Sequence, residues 1–125
     1  MHKSRLAGFI IDCNTDDLDG AAKFWSAALG YPLRPAEENS DPKYIGFETG
    51  DEGLSIEVQK VAHDSRVHLD IEADDIEAEA RRLEALGAKR IGKVKTWIVL
   101  EAPTGHRFCV IEPQKPTFES KANKW

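Results

Sequence analysis

A strand followed directly by an amphipathic helix occurs twice in this sequence, and this repeat limits the possible folds more than any other feature. In the second copy, residues 67–72 alternate apolar and polar side chains, and residues 76–86 then place apolar side chains at helical spacing. Residues 8–13 and 18–29 show the same pattern. Asp17 and Asp75 stand 58 positions apart, and Leu29 and Leu86 stand 57 apart. We interpret the two copies as an old internal duplication.

Both predicted helices are flanked by residue types that commonly cap the start and the end of a helix. Side chains that accept hydrogen bonds from free backbone N–H groups precede each apolar stripe, and a glycine follows each stripe. The predicted caps are Thr15 or Asp16 and Asp74 or Asp75, and the predicted ends are Gly30 and Gly87.

Further short strands follow each helix. Alternating or β-branched segments separated by turn residues predict them at 44–48, 54–59, 90–94, 96–101 and 107–112. Residues 34–43 are polar, contain two prolines and are predicted to form an edge segment and loop. We therefore expect one α+β domain over residues 1–125, made of two βαβββ modules at about 6–60 and 66–113 with the helices on one face. A polar tail, 114–125, is expected to be partly ordered or to lie on the domain surface.

Composition excludes several classes of protein. The net charge of −5, with acids and bases interspersed, argues against nucleic acid as a partner. No apolar segment is long enough to cross a membrane, and no signal-peptide pattern follows Met1, so we expect a cytoplasmic protein. Cys13 and Cys109 are too few for a disulfide framework and are expected to be free thiols.

Strand alternation divides the side chains between two faces. One face, with Phe9, Ile11, Cys13, Val67, Leu69 and Ile71, is expected to pack under the helices. The opposite face carries Ile10, Asp12, Ser55, Glu57, Gln59, His68, Asp70, Glu72, Trp97, Val99, Glu101, Arg107, Cys109 and Ile111. Two interpretations stay open, because an antiparallel sheet often leaves one face wet, whereas a curled sheet would use the same side chains to line a pocket.

Several short motifs, together with this pattern, resemble those of a known superfamily. They occur in a fixed order: Asp17-Leu18, Phe24-Trp25, Leu29-Gly30-Tyr31, His68-Leu69 and Pro103-Thr104-Gly105-His106-Arg107-Phe108. With two βαβββ modules, the chain resembles the vicinal oxygen chelate superfamily, which includes glyoxalases, bleomycin-resistance proteins and ring-cleaving dioxygenases. It is most similar to the glyoxalase-like branch. The resemblance implies a mixed sheet curled into a cup, with the helices on its outer face.

Enzymes of that superfamily hold a divalent metal with side chains from four strands. By resemblance, the four positions fall on Ile10, Glu57, His68 and Cys109. Glu57 and His68 are possible ligands of an incomplete site, whereas Ile10 cannot bind a metal and a Cys109 thiolate favours zinc over magnesium or manganese. We expect no tightly bound cofactor, and at most weak binding of zinc or nickel.

The remaining candidates would bind a small organic molecule. Glu57 and His68 are the predicted catalytic residues, with Glu57 as general base; His68 could instead only hydrogen-bond a neighbouring carboxylate. Predicted substrate-binding residues are Asp12, Trp97, Arg107 and Cys109. Trp97 could stack on a planar ligand or merely cover the sheet, and Arg107 could bind a carboxylate or balance nearby acids.

Two functions are consistent with these residues. The first is a lyase or isomerase acting next to a carbonyl. The second is a protein that binds or sequesters a small molecule without catalysis, as bleomycin-resistance proteins do. We also expect a homodimer, because an open sheet edge is protected by pairing.

Overall fold

The computed structural model describes all residues, 1–125, as eight strands and three helices. In chain order these are β1 (Lys3–Cys13), α1 (Leu18–Leu29), β2 (Tyr44–Gly46), β3 (Ser55–Lys60), β4 (Arg66–Ala73), α2 (Ile76–Ala85), β5 (Lys89–Val94), β6 (Trp97–Glu101), β7 (Arg107–Ile111), α3 (Phe118–Lys121) and β8 (Asn123–Lys124). This order confirms the predicted α+β class. The chain divides into two compact units, a first unit of residues 9–67 and a second unit of residues 1–8 and 68–125.

The first unit contains strands in the order β2-β3-β1, with β2 and β3 antiparallel. Its core lies between these strands and α1 and consists of Ile11, Cys13, Leu18, Ala22, Phe47, Ile56 and Val58. Helix α1 is capped by Asp17, whose Oδ1 accepts a 2.9 Å hydrogen bond from the Gly20 N–H. The predicted caps Thr15 and Asp16 were therefore wrong. Gly30 ends the helix with a left-handed φ of 80°, as predicted.

The second unit contains the strand order β4-β7-β6-β5. Strand β4 is parallel to β7, and the other two pairs are antiparallel, so the sheet is mixed. Its core consists of Ala73, Ala80, Leu83, Ile98, Leu100 and Val110. Helix α2 is capped by Asp75, as predicted, through a 3.0 Å hydrogen bond from the Ala78 N–H. Asp17 and Asp75 thus perform the same function in the two copies.

Two side chains of β4 are not packed as predicted. Val67 is 56% exposed and Leu69 is 50% exposed, whereas Ile71 packs against the core of the second unit. The eight residues of β4 extend about 26 Å. The ten residues of α2 extend only about 15 Å. The helix is too short to cover the first half of the strand.

The C-terminal tail is anchored within the second unit. Phe118 is buried, and β8 pairs with the start of β1. Trp125 donates from Nε1 to the Ser4 hydroxyl at 2.7 Å, and the Arg82 guanidinium lies 3.7 Å from the Trp125 ring centroid. These contacts give the polar tail a fixed place on the surface of the unit.

A buried carboxylate lies beneath this anchored tail. Glu79 of α2 is fully buried and accepts hydrogen bonds from His2, Ser4 and Arg82, all at 2.7 to 2.8 Å. Burial alone would raise the pKa of Glu79, but the hydrogen bonds from these three side chains bring its pKa below the ordinary value.

None of the three helices combines the length and apolar character that a transmembrane helix needs.

Candidate functional site

In the first unit, Glu57 occupies the middle of β3 directly opposite Gly46 of β2. The Glu57 side chain is 30% exposed, and its Oε2 lies 3.9 Å from the Nη2 of Arg34. A Cβ atom at Gly46 would overlap the Arg34 guanidinium. The backbone N–H of Arg34 also donates to the Gly46 carbonyl at 2.9 Å. Glycine at this position therefore leaves the space through which Arg34 reaches Glu57.

The environment of Glu57 shifts its proton affinity. Burial raises the pKa of the Glu57 carboxyl above its ordinary value, and the positive charge of Arg34 partly opposes this effect. A carboxylate whose pKa is raised toward neutral accepts a proton more readily than an ordinary surface glutamate. The pair therefore has the character of a general base beside an anion-binding group.

Asp12 and Ile10 lie two residues apart on β1, and both are buried although only Asp12 is polar. Asp12 is 2% exposed, and its Oδ2 lies 3.8 Å from the Nε of Arg66. Ile10 is 4% exposed and offers no donor atom. Next to Asp12, burial raises the pKa of the Cys13 thiol, and the Asp12 charge raises it further. Cys13 is therefore an unreactive core residue.

In the second unit, His68, Asp70 and Cys109 form a cluster of potential ligands. His68 and Asp70 share one face of β4, and Asp70 is directly paired with Cys109 of β7. The three ligand atoms all lie within 4.8 Å of one another. The Nε2 of His68 is 3.6 Å from the Oδ1 of Asp70, and the two side chains are 15% and 13% exposed. One nitrogen, one oxygen and one sulfur donor thus converge where solvent still has limited access.

Glu72 lies two residues beyond Asp70 on the same strand but has other partners. Its side chain is 1% exposed. It accepts from Arg5 Nε and from the Gln114 backbone N–H, both at 2.6 Å. The Arg5 guanidinium also donates to the Thr117 hydroxyl at 3.0 Å. Glu72 therefore fixes the start of the tail to the sheet.

The other predicted binding residues of the second unit lie on neighbouring strands. Arg107 is paired with Glu101 across β6 and β7, with 3.1 Å between Nε and Oε2. Half-buried Trp97 has the Lys95 Nζ at 5.9 Å from its ring centroid. The Glu101 carboxylate offsets the Arg107 charge, which reduces its attraction for an anionic ligand. The binding roles of Arg107 and Trp97 stay predictions.

Two residues of these sites, Arg34 and Asp70, were not predicted from the sequence. Arg34 fell in a segment that was predicted as loop, and only the glycine in the facing strand signals that a side chain crosses there. Asp70 was placed on the correct face but was not considered as a ligand. Its spacing of two residues from His68 was the available signal, because such residues share one face of a strand.

The sequence also matches a known family. The model of the glyoxalase-like domain family matches residues 8–111, and the chain belongs to this family. No curated protein sequence matches at a significant level. The predicted membership of the vicinal oxygen chelate superfamily is confirmed.

Solved structures support the same fold. A hypothetical protein from Bacillus halodurans C-125 superposes with a TM-score of 0.65 at 15% identity, covering 90% of this chain and 96% of that one. The Mn(II)-bound glyoxalase from Novosphingobium aromaticivorans gives 0.61 at 19% identity, covering 92% and 42%. A methylmalonyl-CoA epimerase in complex with methylmalonyl-CoA and NH4+ gives 0.60 at 16% identity, covering 91% and 99%. At these identities the similarity shows the fold alone.

The metal in the Novosphingobium enzyme raises the question of whether Mn(II) suits this chain. Of the four positions that the resemblance implies, Ile10 is buried and has no donor atom, and Cys109 offers soft sulfur. Manganese prefers oxygen donors. These four residues therefore do not fit Mn(II).

Proposed function

We propose that this glyoxalase-like protein binds a small carbonyl compound on the sheet face that carries Glu57 and moves a proton next to its carbonyl group. The observation that carries the proposal is the Glu57–Arg34 pair, a half-buried carboxylate held beside a guanidinium group by the space above Gly46. The activity is that of a lyase or isomerase. Relatives by structure include glyoxalase and methylmalonyl-CoA epimerase, which supports this reaction class.

The proposed step uses only residues of the first unit. The Glu57 carboxylate takes a proton from the carbon next to the carbonyl, and the electron pair of the broken C–H bond forms an enolate. The Arg34 side chain, 48% exposed, donates hydrogen bonds to the enolate oxygen or to a substrate carboxylate. Return of the proton by Glu57 to the same face regenerates the substrate, whereas protonation of that carbon on its opposite face by water gives the epimer. Arg34 thus takes the carboxylate-binding role that was one of two alternatives for Arg107.

Proton exchange with solvent tests this step directly. Methylmalonyl-CoA and a series of small 2-oxo acids are incubated with the protein in D2O, and loss of the C–H signal is followed by NMR. Glu57→Gln should slow exchange by about 10²- to 10⁴-fold, the usual contribution of a general base. The matched control is Glu48→Gln, which changes an exposed glutamate of the same unit. Equal rates in wild type and Glu57→Gln would contradict the proposal.

A binding protein without catalysis is the second candidate. Buried Ile10 at a position where the superfamily's enzymes have a metal ligand is the observation that favours it. Tight ligand binding by calorimetry without any exchange in D2O would support this candidate over the enzyme. The cytoplasmic location and the homodimer stay predictions from the sequence.

A further inference from the structure

The geometry points to a zinc-type metal site formed by His68, Asp70 and Cys109, entirely within the second unit. It differs from the four-position set that the resemblance implies, because Asp70 replaces the donors that the first unit would supply. Its donor types suit zinc better than the Mn(II) that the structural relative binds. The inference is independent of the proposed function, which rests on Glu57 and Arg34.

The arrangement of the strands brings the three donors together. His68 and Asp70 are two residues apart on β4, so both side chains leave the same face. Cys109 stands beside Asp70 in the parallel pairing of β4 with β7. The donor atoms lie within 4.8 Å of one another, and His68 and Asp70 are 3.6 Å apart. Ligand atoms around a tetrahedral zinc ion lie about 3.5 Å apart, so small side-chain rotations complete the site.

The donor types select the metal. Imidazole nitrogen, carboxylate oxygen and thiolate sulfur together suit zinc, whereas manganese and magnesium prefer oxygen ligands. Two anionic ligands and one neutral imidazole also balance the charge of a divalent cation. Three protein ligands leave one position open for water or a ligand, as in catalytic rather than structural zinc sites.

Burial supports the same assignment. His68 and Asp70 side chains are about seven-eighths buried, which strengthens their attraction for a cation, yet both reach the surface. Glu72, the next carboxylate on this face, is already bonded to Arg5 and Gln114. The internal repeat gives a natural comparison. The first copy has Ile10 and Asp12 at the positions of His68 and Asp70, and it lacks a nitrogen donor there.

Cobalt substitution measures the site without an enzyme assay. Reduced protein, freed of metal by a chelator, is titrated with Co²⁺ and then with Zn²⁺. A one-to-one complex should show a thiolate-to-cobalt charge-transfer band that Zn²⁺ removes and an equal concentration of Mn²⁺ does not. Cys109→Ser should abolish the band, and His68→Ala and Asp70→Asn should weaken Zn²⁺ binding. Loss of an outer-shell partner costs 10- to 100-fold, so we expect a loss of about 100-fold or more.

Two controls separate this site from the alternatives. Cys13→Ala removes the other thiol, which is buried in the core of the first unit, and should leave the band unchanged. Glu57→Gln should leave zinc affinity unchanged, although it should slow the proton exchange proposed above. A loss of affinity in Glu57→Gln comparable to that in Cys109→Ser would overturn the three-residue site in favour of the set implied by resemblance.

Alkylation gives a second readout that does not depend on any variant. Zinc should protect Cys109 of the native wild-type protein from iodoacetamide, as measured by mass spectrometry of the labelled peptides. Labelling of Cys109 at the same rate with and without zinc would overturn the inference. So would the absence of a cobalt band in wild-type protein whose circular dichroism shows a native fold.

Discussion

Gly46 and Glu57 are paired residues of β2 and β3, and the missing side chain at Gly46 is what lets the Arg34 guanidinium approach the Glu57 carboxylate. This relationship connects a backbone position to the chemistry of the site. The Arg34 guanidinium is the far end of a flexible side chain, so a methyl group at Gly46 would displace it without disturbing the strands. The charge beside Glu57 can therefore be changed without altering either ionisable residue.

The first prediction is that Gly46→Ala raises the pKa of Glu57 further. Burial raises this pKa and Arg34 lowers it, so displacing Arg34 leaves the effect of burial unopposed. The pH at which proton exchange begins should move upward with it. Both are measured by NMR, from the titration of the Glu57 carboxyl carbon and from the exchange rate in D2O. The control is Gly92→Ala, where an added Cβ meets no atom within 4 Å. An unchanged Glu57 titration in Gly46→Ala would contradict this.

The second prediction concerns stability against pH. The folded-state pKa of Glu57 is raised, so its contribution to stability is fully present below the unfolded pKa and is lost as the pH rises through the folded pKa. Glutamine has no such dependence. The free energy of unfolding of Glu57→Gln, relative to that of wild type, should therefore increase as the pH rises from the unfolded pKa through the raised folded pKa. Urea unfolding at a series of pH values measures this change, and the exposed Glu48→Gln is the control. A difference between wild type and Glu57→Gln that does not vary with pH would show that the pKa of Glu57 is not raised in the folded protein.

The fold was predictable because its main signals are local and repeated. Alternation located the strands, and the matching positions of Asp17 and Asp75 fixed the repeat, which the structure explains as two equivalent helix caps. The error at Val67 and Leu69 has a different origin. Alternation assigns side chains to faces but does not say how far a helix extends along a strand, and α2 ends before it can cover them.

The candidate sites were less predictable because they depend on neighbours in space. Arg34 reaches Glu57 only because β2 pairs with β3 in a register that places Gly46 between them. Asp70 meets Cys109 only because β4 pairs with β7, about 40 residues later in the sequence. The resemblance supplies only the four positions of Ile10, Glu57, His68 and Cys109, and Asp70 is not among them.

The third prediction is that Glu79→Gln destabilises the protein. Glu79 is fully buried and holds His2, Ser4 and Arg82, so an amide would leave the Arg82 charge without its carboxylate. Breaking a fully buried pair costs about 3–5 kcal/mol. Arg82 keeps 26% of its side chain exposed, so we expect a smaller loss of about 2–3 kcal/mol in the free energy of unfolding.

The control for this third variant is Glu77→Gln in the same helix. Glu77 forms an exposed ion pair with Arg90 at 2.8 Å, and exposed pairs contribute about 0–1 kcal/mol. Because the pKa of Glu79 is lowered in the folded state, its contribution is present above the unfolded pKa and is lost as the pH falls through the folded pKa. Urea unfolding of both variants near neutral pH decides the matter. Equal stabilities would mean that Glu79 contributes no more than a surface carboxylate.

The last prediction is a homodimer that depends on Leu69. This leucine lies in a strand yet is 50% exposed, and every residue of β5, at the end of the strand order of the second unit, is also exposed. Edge-to-edge pairing of two chains would cover β5, and a second chain packed against the sheet face would cover Leu69. In a symmetric dimer each substitution occurs twice, so Leu69→Thr should lose about 1.5 kcal/mol of binding free energy per copy and weaken dimerisation roughly 100-fold.

The control is Leu54→Thr, which changes a similarly exposed leucine of the first unit and should have little effect. Light scattering over a dilution series measures all three proteins, and a wild-type monomer at micromolar concentration would refute the prediction.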